Sequence, residues 1–352
     1  MKTFILPFLF LLISIVSCKQ DNDELLEKNT TSVDLYVAGV ENNQACYWKN
    51  GQKIILPNGT GLYAMQIIVE NNNVYVYGGM TSEFANIPPS KHLYLWKNGT
   101  RYNLDEYLQD VPDPDPNNYF DISSRMVVEN GNIYFCGSLR NPNPLPNQGP
   151  NTFYSWKNGI KTMISDSNEG LISGTYALIN NDIYLSIRKN QQYNPITWET
   201  GFYKNSTYFP LTNDSHILDF YKDSTGIYAY IRNILTGEKY FKNIQTNAIL
   251  SLPSNPPGEI TLVVWDNNDK YYIGNNFYYK NSTLIQLNDP NGYNKIARFN
   301  IKNNQIYTIR YKDGSNPSPF AKVFINDTEV QSQPIMGVSD PNVGGILSIF
   351  ID

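Results

Sequence analysis

The chain has 352 residues and a formal net charge of −5, with 41% hydrophobic and 17% charged residues. That acidic balance excludes a sequence-independent grip on nucleic acid, which needs a basic face to displace phosphate counterions. With 27 Tyr and 16 Phe, the composition also excludes coiled coil and disorder and favours β-sheet, in one large domain or in two or three smaller ones.

The first 18 residues differ from everything after them. Lys2 gives a positive flank, and Phe4 to Val16 form a 13-residue apolar run broken only by Pro7 and Ser14. A membrane-spanning helix needs about 20 apolar residues and a secretory signal core about 7 to 15, so this run reads as an export signal. It ends in Ile15-Val16-Ser17-Cys18, which resembles the bacterial lipobox. By that resemblance Cys18 is acylated and becomes the mature N-terminus, the only contact with a membrane being a lipid anchor. The alternative is an ordinary secretory signal with Cys18 near its cleavage site, and either way the protein is exported. Lys19, Gln20, Asp21, Asn22, Asp23 and Glu24 resemble the Lys-plus-acidic signal of surface lipoproteins in Bacteroidetes-type bacteria, which implies an outer-membrane lipoprotein facing outward. Residues 19–32 read as a flexible polar tether.

After Cys18 only Cys46 and Cys136 remain. Both sit in apolar strand patterns, so they are expected as buried free thiols and not as a disulfide framework. Asn-x-Ser/Thr sequons at Asn29, Asn58, Asn98, Asn205, Asn213, Asn281 and Asn326 read as by-products of an Asn-rich turn vocabulary.

From residue 33 onward two short patterns alternate. The first is an apolar residue then Tyr: Leu35-Tyr36, Val74-Tyr75, Ile133-Tyr134, Ile183-Tyr184, Ile227-Tyr228, Tyr271-Tyr272 and Ile306-Tyr307. The second is an aromatic then Lys-Asn-Gly, as in Trp48-Lys49-Asn50-Gly51, Trp96-Lys97-Asn98-Gly99 and Trp156-Lys157-Asn158-Gly159. It decays to Tyr203-Lys204-Asn205-Ser206, Phe241-Lys242-Asn243, Tyr279-Lys280-Asn281-Ser282 and Phe324-Ile325-Asn326-Asp327. The Tyr anchors recur about every 45 residues, which matches the roughly 40 to 50 residues of a four-stranded propeller blade. Period-two alternation, as in Val74-Tyr75-Val76-Tyr77, excludes helical solenoids of similar period. Asn-Gly between two such runs marks a hairpin, because both residues tolerate positive φ.

Each unit therefore reads as inner strand, Asn-rich turn, Tyr strand, variable loop, aromatic strand, Lys-Asn-Gly turn and outer strand. The first unit lacks an inner strand, and Ile346 to Asp352 read as an inner strand with nothing after it. The expected fold over residues 33–352 is an all-β, seven-bladed propeller of four-stranded antiparallel blades, closed by the C-terminal strand completing the first blade. This closure resembles the velcro of kelch and WD-type propellers, although neither the Trp-Asp signature nor the recurrent kelch double glycine is present. The Lys-Asn-Gly repeats are also similar to those of exported propellers in Bacteroidetes-type bacteria, a likeness that carries no activity with it.

Alternating strand direction puts the Asn turns and the Lys-Asn-Gly turns on one face and the remaining connections on the other. Those connections are long and proline-rich: 79–92, 104–119, 137–151, 188–200, 288–293 and 313–320. A rigid scaffold with variable loops on one face suits a binding surface. The rings gathered there, Phe84, Tyr107, Tyr119, Tyr193, Trp198 and Tyr293, are candidates for stacking on a sugar or anchoring a protein partner. Asp105, Glu106, Asp110, Asp113 and Asp115 form an acidic loop in which calcium is conceivable, although EF-hand spacing and its central Gly are missing and a solvated loop is the simpler reading.

Catalytic signatures are absent. His92 and His216 are the only histidines, and no Gly-x-Ser-x-Gly, His-Glu-x-x-His or phosphate-binding glycine loop occurs. Asp121, Asp219 and Glu259 fall where a propeller hydrolase would carry carboxylates at the mouth of its channel, and Gln66 and Arg125 fall at matching inner-strand positions. The expectation is a monomeric, non-catalytic surface module binding a glycan or protein, without a metal or other cofactor. The alternative is a glycoside hydrolase or lyase using those carboxylates.

Overall fold

The structure, a computed structural model, describes residues 33–80, 93–109, 120–122, 125–140, 148–167, 171–193, 196–312, 320–334 and 346–352. The chain divides into Met1–Asp34 and Leu35–Asp352, and all the described strands belong to the second unit. The lipobox at Cys18 lies outside the described residues, as do Phe84, Tyr119, Asp110, Asp113 and Asp115.

The described strands form seven antiparallel sheets arranged as propeller blades. From the inside outward, blade 1 orders Ile346–Ile351, Leu35–Glu41, Gln44–Lys49 and Gln52–Thr60. Blade 2 orders Leu62–Glu70, Asn73–Met80, Leu93–Lys97 and Thr100–Asn103. In blade 3 the inner position is shared by Phe120–Ile122 and Val127–Glu129, both paired with Asn132–Arg140, followed by Gln148–Lys157 and Ile160–Ser167. Blade 4 comprises Leu171–Ile179, Asp182–Tyr193, Ile196–Lys204 and Thr207–Asn213; blade 5 comprises Ser215–Asp223, Gly226–Asn233, Lys239–Asn243 and Ile249–Ser251. Blade 6 comprises Leu262–Asp266, Asp269–Ile273, Phe277–Lys280 and Thr283–Gln286; blade 7 comprises Lys295–Lys302, Gln305–Tyr311, Phe320–Ile325 and Thr328–Pro334.

The expected closure is present: Tyr36 pairs with Phe350, Val37 with Ile349 and Ala38 with Ser348. The C-terminal strand thus covers the edge that Leu35–Glu41 would otherwise expose.

The two sequence patterns turn out to be one cross-strand device. In blade 1 the anchor Tyr36 lies opposite Lys49, and the ammonium stands 5.3 Å from the ring centroid. Lys97 covers Tyr75, Lys157 covers Tyr134, Lys204 covers Tyr184 and Lys280 covers Tyr271 in the same way. The Asn that follows each Lys has positive φ, 49° at Asn50 and 50° at Asn158, as its hairpin turn requires. Its side chain does more than tolerate the turn. Asn158 Oδ1 accepts the Ile133 N–H at 2.9 Å, and its Nδ2 donates to Asn132 Oδ1 at 2.8 Å, so the turn is tied to the start of the Tyr strand. Asn98, Asn205 and Asn281 make both bonds in their blades, and Asn50 and Asn326 make the first. The sequons at Asn98, Asn205, Asn281 and Asn326 are therefore turn positions.

Two alignments shift by one residue. Tyr271, not Tyr272, is the partner of Lys280 in blade 6. In blade 5 Tyr228 pairs with Asn243 and Ala229 with Lys242, so Phe241-Lys242-Asn243 is out of register with the true repeats. There Asn243 Oδ1 instead accepts the N–H groups of Gln245 and Thr246 inside a longer turn.

Hydrophobic burial occurs between blades, where neighbouring sheets face one another. Tyr36, Ala45 and Leu56 of blade 1 pack with Ile67, Val76 and Trp96 of blade 2. Tyr77 and Leu95 pack in turn with Phe135 and Trp156 of blade 3. Trp96 and Trp156 are fully buried, and their Nε1–H groups donate to Pro57 O and Gln109 O of the preceding repeat, at 3.0 and 3.1 Å. Cys46 and Cys136 are free and buried, as expected, and burial pushes the Cys46 thiol up to about 12.

Two of the expected loops are extended hairpins. Asn132–Arg140 pairs with Gln148–Lys157 as far as Arg140 opposite Asn151, and Asp182–Tyr193 pairs with Ile196–Lys204 as far as Tyr193 opposite Ile196. Proline in these segments reads as loop in the sequence, but ladder pairing continues the strands outward. The connection after blade 2 begins with a single helical turn, Leu104–Tyr107.

Candidate functional site

Strand register assembles a ring from one position of the inner strands. Ser348 pairs with Ala38, Gln66 with Tyr77, Asp219 with Tyr230, Leu262 with Ile273 and Arg298 with Ile309. Each partner stands two residues after its anchor Tyr. Arg125 stands at the equivalent place in blade 3, two residues before Val127, which pairs with Tyr134.

Several ring residues act as ties between blades. Gln66 forms a reciprocal pair with Met126, donating Nε2 to its carbonyl at 2.9 Å and accepting its N–H at 2.8 Å. Arg125 Nη1 lies 3.0 Å from Asp219 Oδ1 and 3.2 Å from Oδ2. Arg298 Nε donates to Leu347 O at 2.6 Å. Tyr176 donates its hydroxyl to Arg125 O and Tyr134 O. Asp219 retains 26% of its side-chain surface, yet burial among blades pushes its carboxyl above the ordinary range, with Arg125 and the Phe220 N–H opposing.

Beside the ring, on the face from which the long connections emerge, a cleft of about 390 Å³ opens between blades 5 and 6. Asp219 and Glu259 both line it, together with Tyr230, Arg232 and Lys239. Glu259 is exposed and ion-paired with Lys239 at 2.8 Å, and the bond from Lys239 holds its carboxyl below the ordinary range. Lys239 also donates to Ile260 O at 3.0 Å. Tyr230 is 6% exposed and stacks on Phe241 at 4.7 Å between centroids. Its hydroxyl is buried with no hydrogen-bond partner among the described residues, and burial, then the charge of Glu259, pushes its pKa far up, so the phenol stays protonated.

Of the rings expected on the binding face, Trp198 and Tyr293 are buried, at 6% and 7% exposure. They serve the fold and offer no open face for stacking. Trp198 donates Nε1–H to Ser215 O at 2.7 Å and carries Arg188 5.2 Å from its ring. Tyr293 sits under Lys322, in a turn organised by Asp289. Tyr107 is half-buried against Tyr102. Tyr193 and Asp121 are placed in strands, with their side chains outside the described residues. Asp105 accepts the N–H of Glu106 at 3.0 Å, and among the described residues no group of three His, Cys, Asp or Glu side chains is placed to hold a metal ion.

Sequence reasoning missed Tyr230 and Arg232. The signal was available: alternation from anchor Tyr228 carries Tyr230 and Arg232 to the same side of the strand, and Arg232 repeats the place of Arg188, which stands four residues after Tyr184.

No protein-family model matches the chain, and no curated protein matches it. Among solved structures it is similar to puromycin hydrolase, with a TM-score of 0.52 and 8% identity over 90% of this chain and 54% of that one. This chain thus spans about half the length of that protein. The computationally designed Ika8 protein is similar at a TM-score of 0.44 and 13% identity, covering 82% of this chain and 79% of that one. The extracellular domain of BT4673 from B. thetaiotaomicron gives a TM-score of 0.43 and 12% identity, covering 79% and 37%. At 8% identity the likeness to puromycin hydrolase is one of fold alone. No helix among the described residues is long and apolar enough to cross a membrane.

Proposed function

We propose that the protein is an exported, lipid-anchored, non-catalytic module that binds a glycan or protein partner on the long-connection face of its propeller. The observation that carries this reading is the cleft on that face, whose two carboxylates are both engaged in ion pairs, Asp219 with Arg125 and Glu259 with Lys239. Carboxylates tied down in this way are suited to accepting hydrogen bonds from a ligand. A glycan array and a pull-down with the chain from residue 19 onward, repeated with the connections around 79–92 and 313–319 shortened, test it. Binding that is unchanged by shortening both connections, and by filling the cleft, refutes the assignment to this face. Export and anchoring rest on Phe4–Val16 and Cys18; incorporation of a labelled fatty acid that disappears in Cys18→Ser tests the anchor.

A second reading, a glycoside hydrolase or lyase, draws on one observation. Asp219 is shifted up and Glu259 down within the same cleft, and such divergence is how acid and base roles are divided. Release of reducing ends from an oligosaccharide panel, lost in both Asp219→Asn and Glu259→Gln, would establish it.

A further inference from the structure

The cleft is lined by two carboxylates, Asp219 and Glu259, and two cations, Arg232 and Lys239. Asp219, Glu259 and Lys239 are engaged in ion pairs, whereas Arg232 is exposed, makes no ion pair among the described residues and acts on Glu259 only at longer range. A second cation, Arg188, stands close by. His216 lies opposite Arg232 in the blade 5 sheet, its ring is 5.3 Å from Trp198, and Arg188 lies over that same Trp198. The Nε of Arg188 is buried without a partner among the described residues. Burial, then the charges of Arg188 and Arg232, push the imidazole of His216 down. Of the acidic groups nearby, Asp214 accepts the Trp198 N–H, Glu199 accepts the Tyr208 hydroxyl, and Glu259 attracts Arg232 at longer range.

These features constrain an occupant. A phosphate dianion, with two charges on one group inside the cleft, would meet Asp219 and Glu259, so phosphate fits poorly. An uncharged ligand would give Arg232 no ion-pair partner beyond the longer-range attraction of Glu259. A single carboxylate on a hydroxyl-rich body fits both, because hydroxyls donate to the ion-paired carboxylates while the acid meets Arg232. Leu218, 38% exposed, and Thr261 complete a mixed wall in a volume of about 390 Å³, within the range of small-molecule sites.

We propose that the cleft between blades 5 and 6 is a subsite for an acidic sugar, a uronic acid unit of a glycan, with Arg232 holding its carboxylate and Glu259 accepting from its hydroxyls. This rests on the reading of the long-connection face as a glycan-binding surface and names the class of glycan. The experiment is calorimetric titration of the purified protein with oligogalacturonate, oligoglucuronate and oligomannuronate, against neutral cello- and malto-oligosaccharides of equal length. The expected result is uronate binding that weakens with added salt and falls about tenfold or more in Arg232→Gln, as loss of one charge-assisted bond implies. Arg101→Gln, at a cation on the outer strand of blade 2, serves as the folded control and leaves binding unchanged. Neutral oligosaccharides binding as tightly as uronates, Arg232→Gln binding like the parent, peptide carboxylates binding in place of uronates, or no uronate binding by folded protein would each overturn the proposal. If a neutral glycan binds the same face, the general reading stands while the uronate assignment falls; if no glycan binds at all, both fall.

Discussion

Arg125 of blade 3 meets Asp219 of blade 5 past the inner strand of blade 4, with one guanidinium nitrogen 3.0 and 3.2 Å from the two carboxylate oxygens. The bond therefore links non-adjacent repeats, which packing between neighbouring blades cannot do. Because Asp219 is raised above its ordinary 3.8, the folded state holds that proton more tightly than the unfolded chain. Its contribution to stability accordingly falls as pH rises through 3.8 and levels off above the folded pKa.

Asp219→Asn should abolish this fall, and Arg125→Ala should extend it to higher pH, since the guanidinium opposes the upward shift. Water reaches both side chains, so the loss in Arg125→Ala near neutral pH is expected to be about 1 kcal/mol and not the 3–5 kcal/mol of a dry pair. Melting curves of both variants against pH check the direction. A parental pH profile in Asp219→Asn would contradict the assignment.

The turn asparagines separate two roles that one residue performs. Asn158→Gly preserves the positive φ but removes the bonds to Ile133 and Asn132, with an expected loss of about 1 kcal/mol. Asn158→Ala adds the left-handed backbone cost of about 1–2 kcal/mol. Urea unfolding should rank parent, Gly and Ala in that order. A Gly variant as stable as the parent would show that the side-chain clamp contributes nothing.

These same residues show how far the sequence reached. The Lys-Asn-Gly turns, the Tyr anchors and the closing strand are local chemistry, repeated, and the repeat supplies blade order without any tertiary information. Register slips occurred where local chemistry is ambiguous. Tyr271-Tyr272 offers two anchors, and Phe241-Lys242-Asn243 copies a repeat one residue away from its pairing position. The site was less legible. Gln66, Arg125 and Asp219 were recognisable as inner-strand residues, but their partners lie in other blades. Trp198 and Tyr293 read as exposed loop aromatics because contacts with residues distant along the chain, Ser215 and His216 for Trp198 and Lys322 for Tyr293, leave no local mark in the sequence.

The closing strand supplies Leu347, Ile349 and Ile351, each at most 8% exposed, and burial of such side chains contributes about 1.5–3 kcal/mol apiece. Removing residues 346–352 also bares the edge of Leu35–Glu41, a template for pairing with another chain. The truncated protein is expected to aggregate or to lose its cooperative melt. A circular permutant that joins residue 352 to residue 33 and opens the chain at the Asn98-Gly99 turn keeps every strand and should melt near the parental temperature. Equal stability of the truncated form, by calorimetry and size exclusion, would refute the closure.

At Tyr230 the expected effect of truncation has a sign that is unusual for a buried residue. Most large buried side chains lose stability on any truncation, but the Tyr230 hydroxyl is enclosed without a partner while its ring stacks on Phe241. Enclosing an unpaired hydroxyl costs about 1–3 kcal/mol, and Tyr230→Phe removes the hydroxyl while keeping the stacked ring. The variant is therefore expected to be more stable than the parent, by about 1 kcal/mol after a small cavity is allowed for. Tyr176→Phe provides the contrast, because that hydroxyl donates to both Arg125 O and Tyr134 O. Its loss removes the one hydrogen shared between the two carbonyls and should destabilise by about 1–2 kcal/mol. Urea midpoints moving in opposite directions for these two Tyr→Phe changes would confirm that the cleft wall keeps a polar group at a cost to the fold. A destabilised Tyr230→Phe would mean that the hydroxyl is already satisfied.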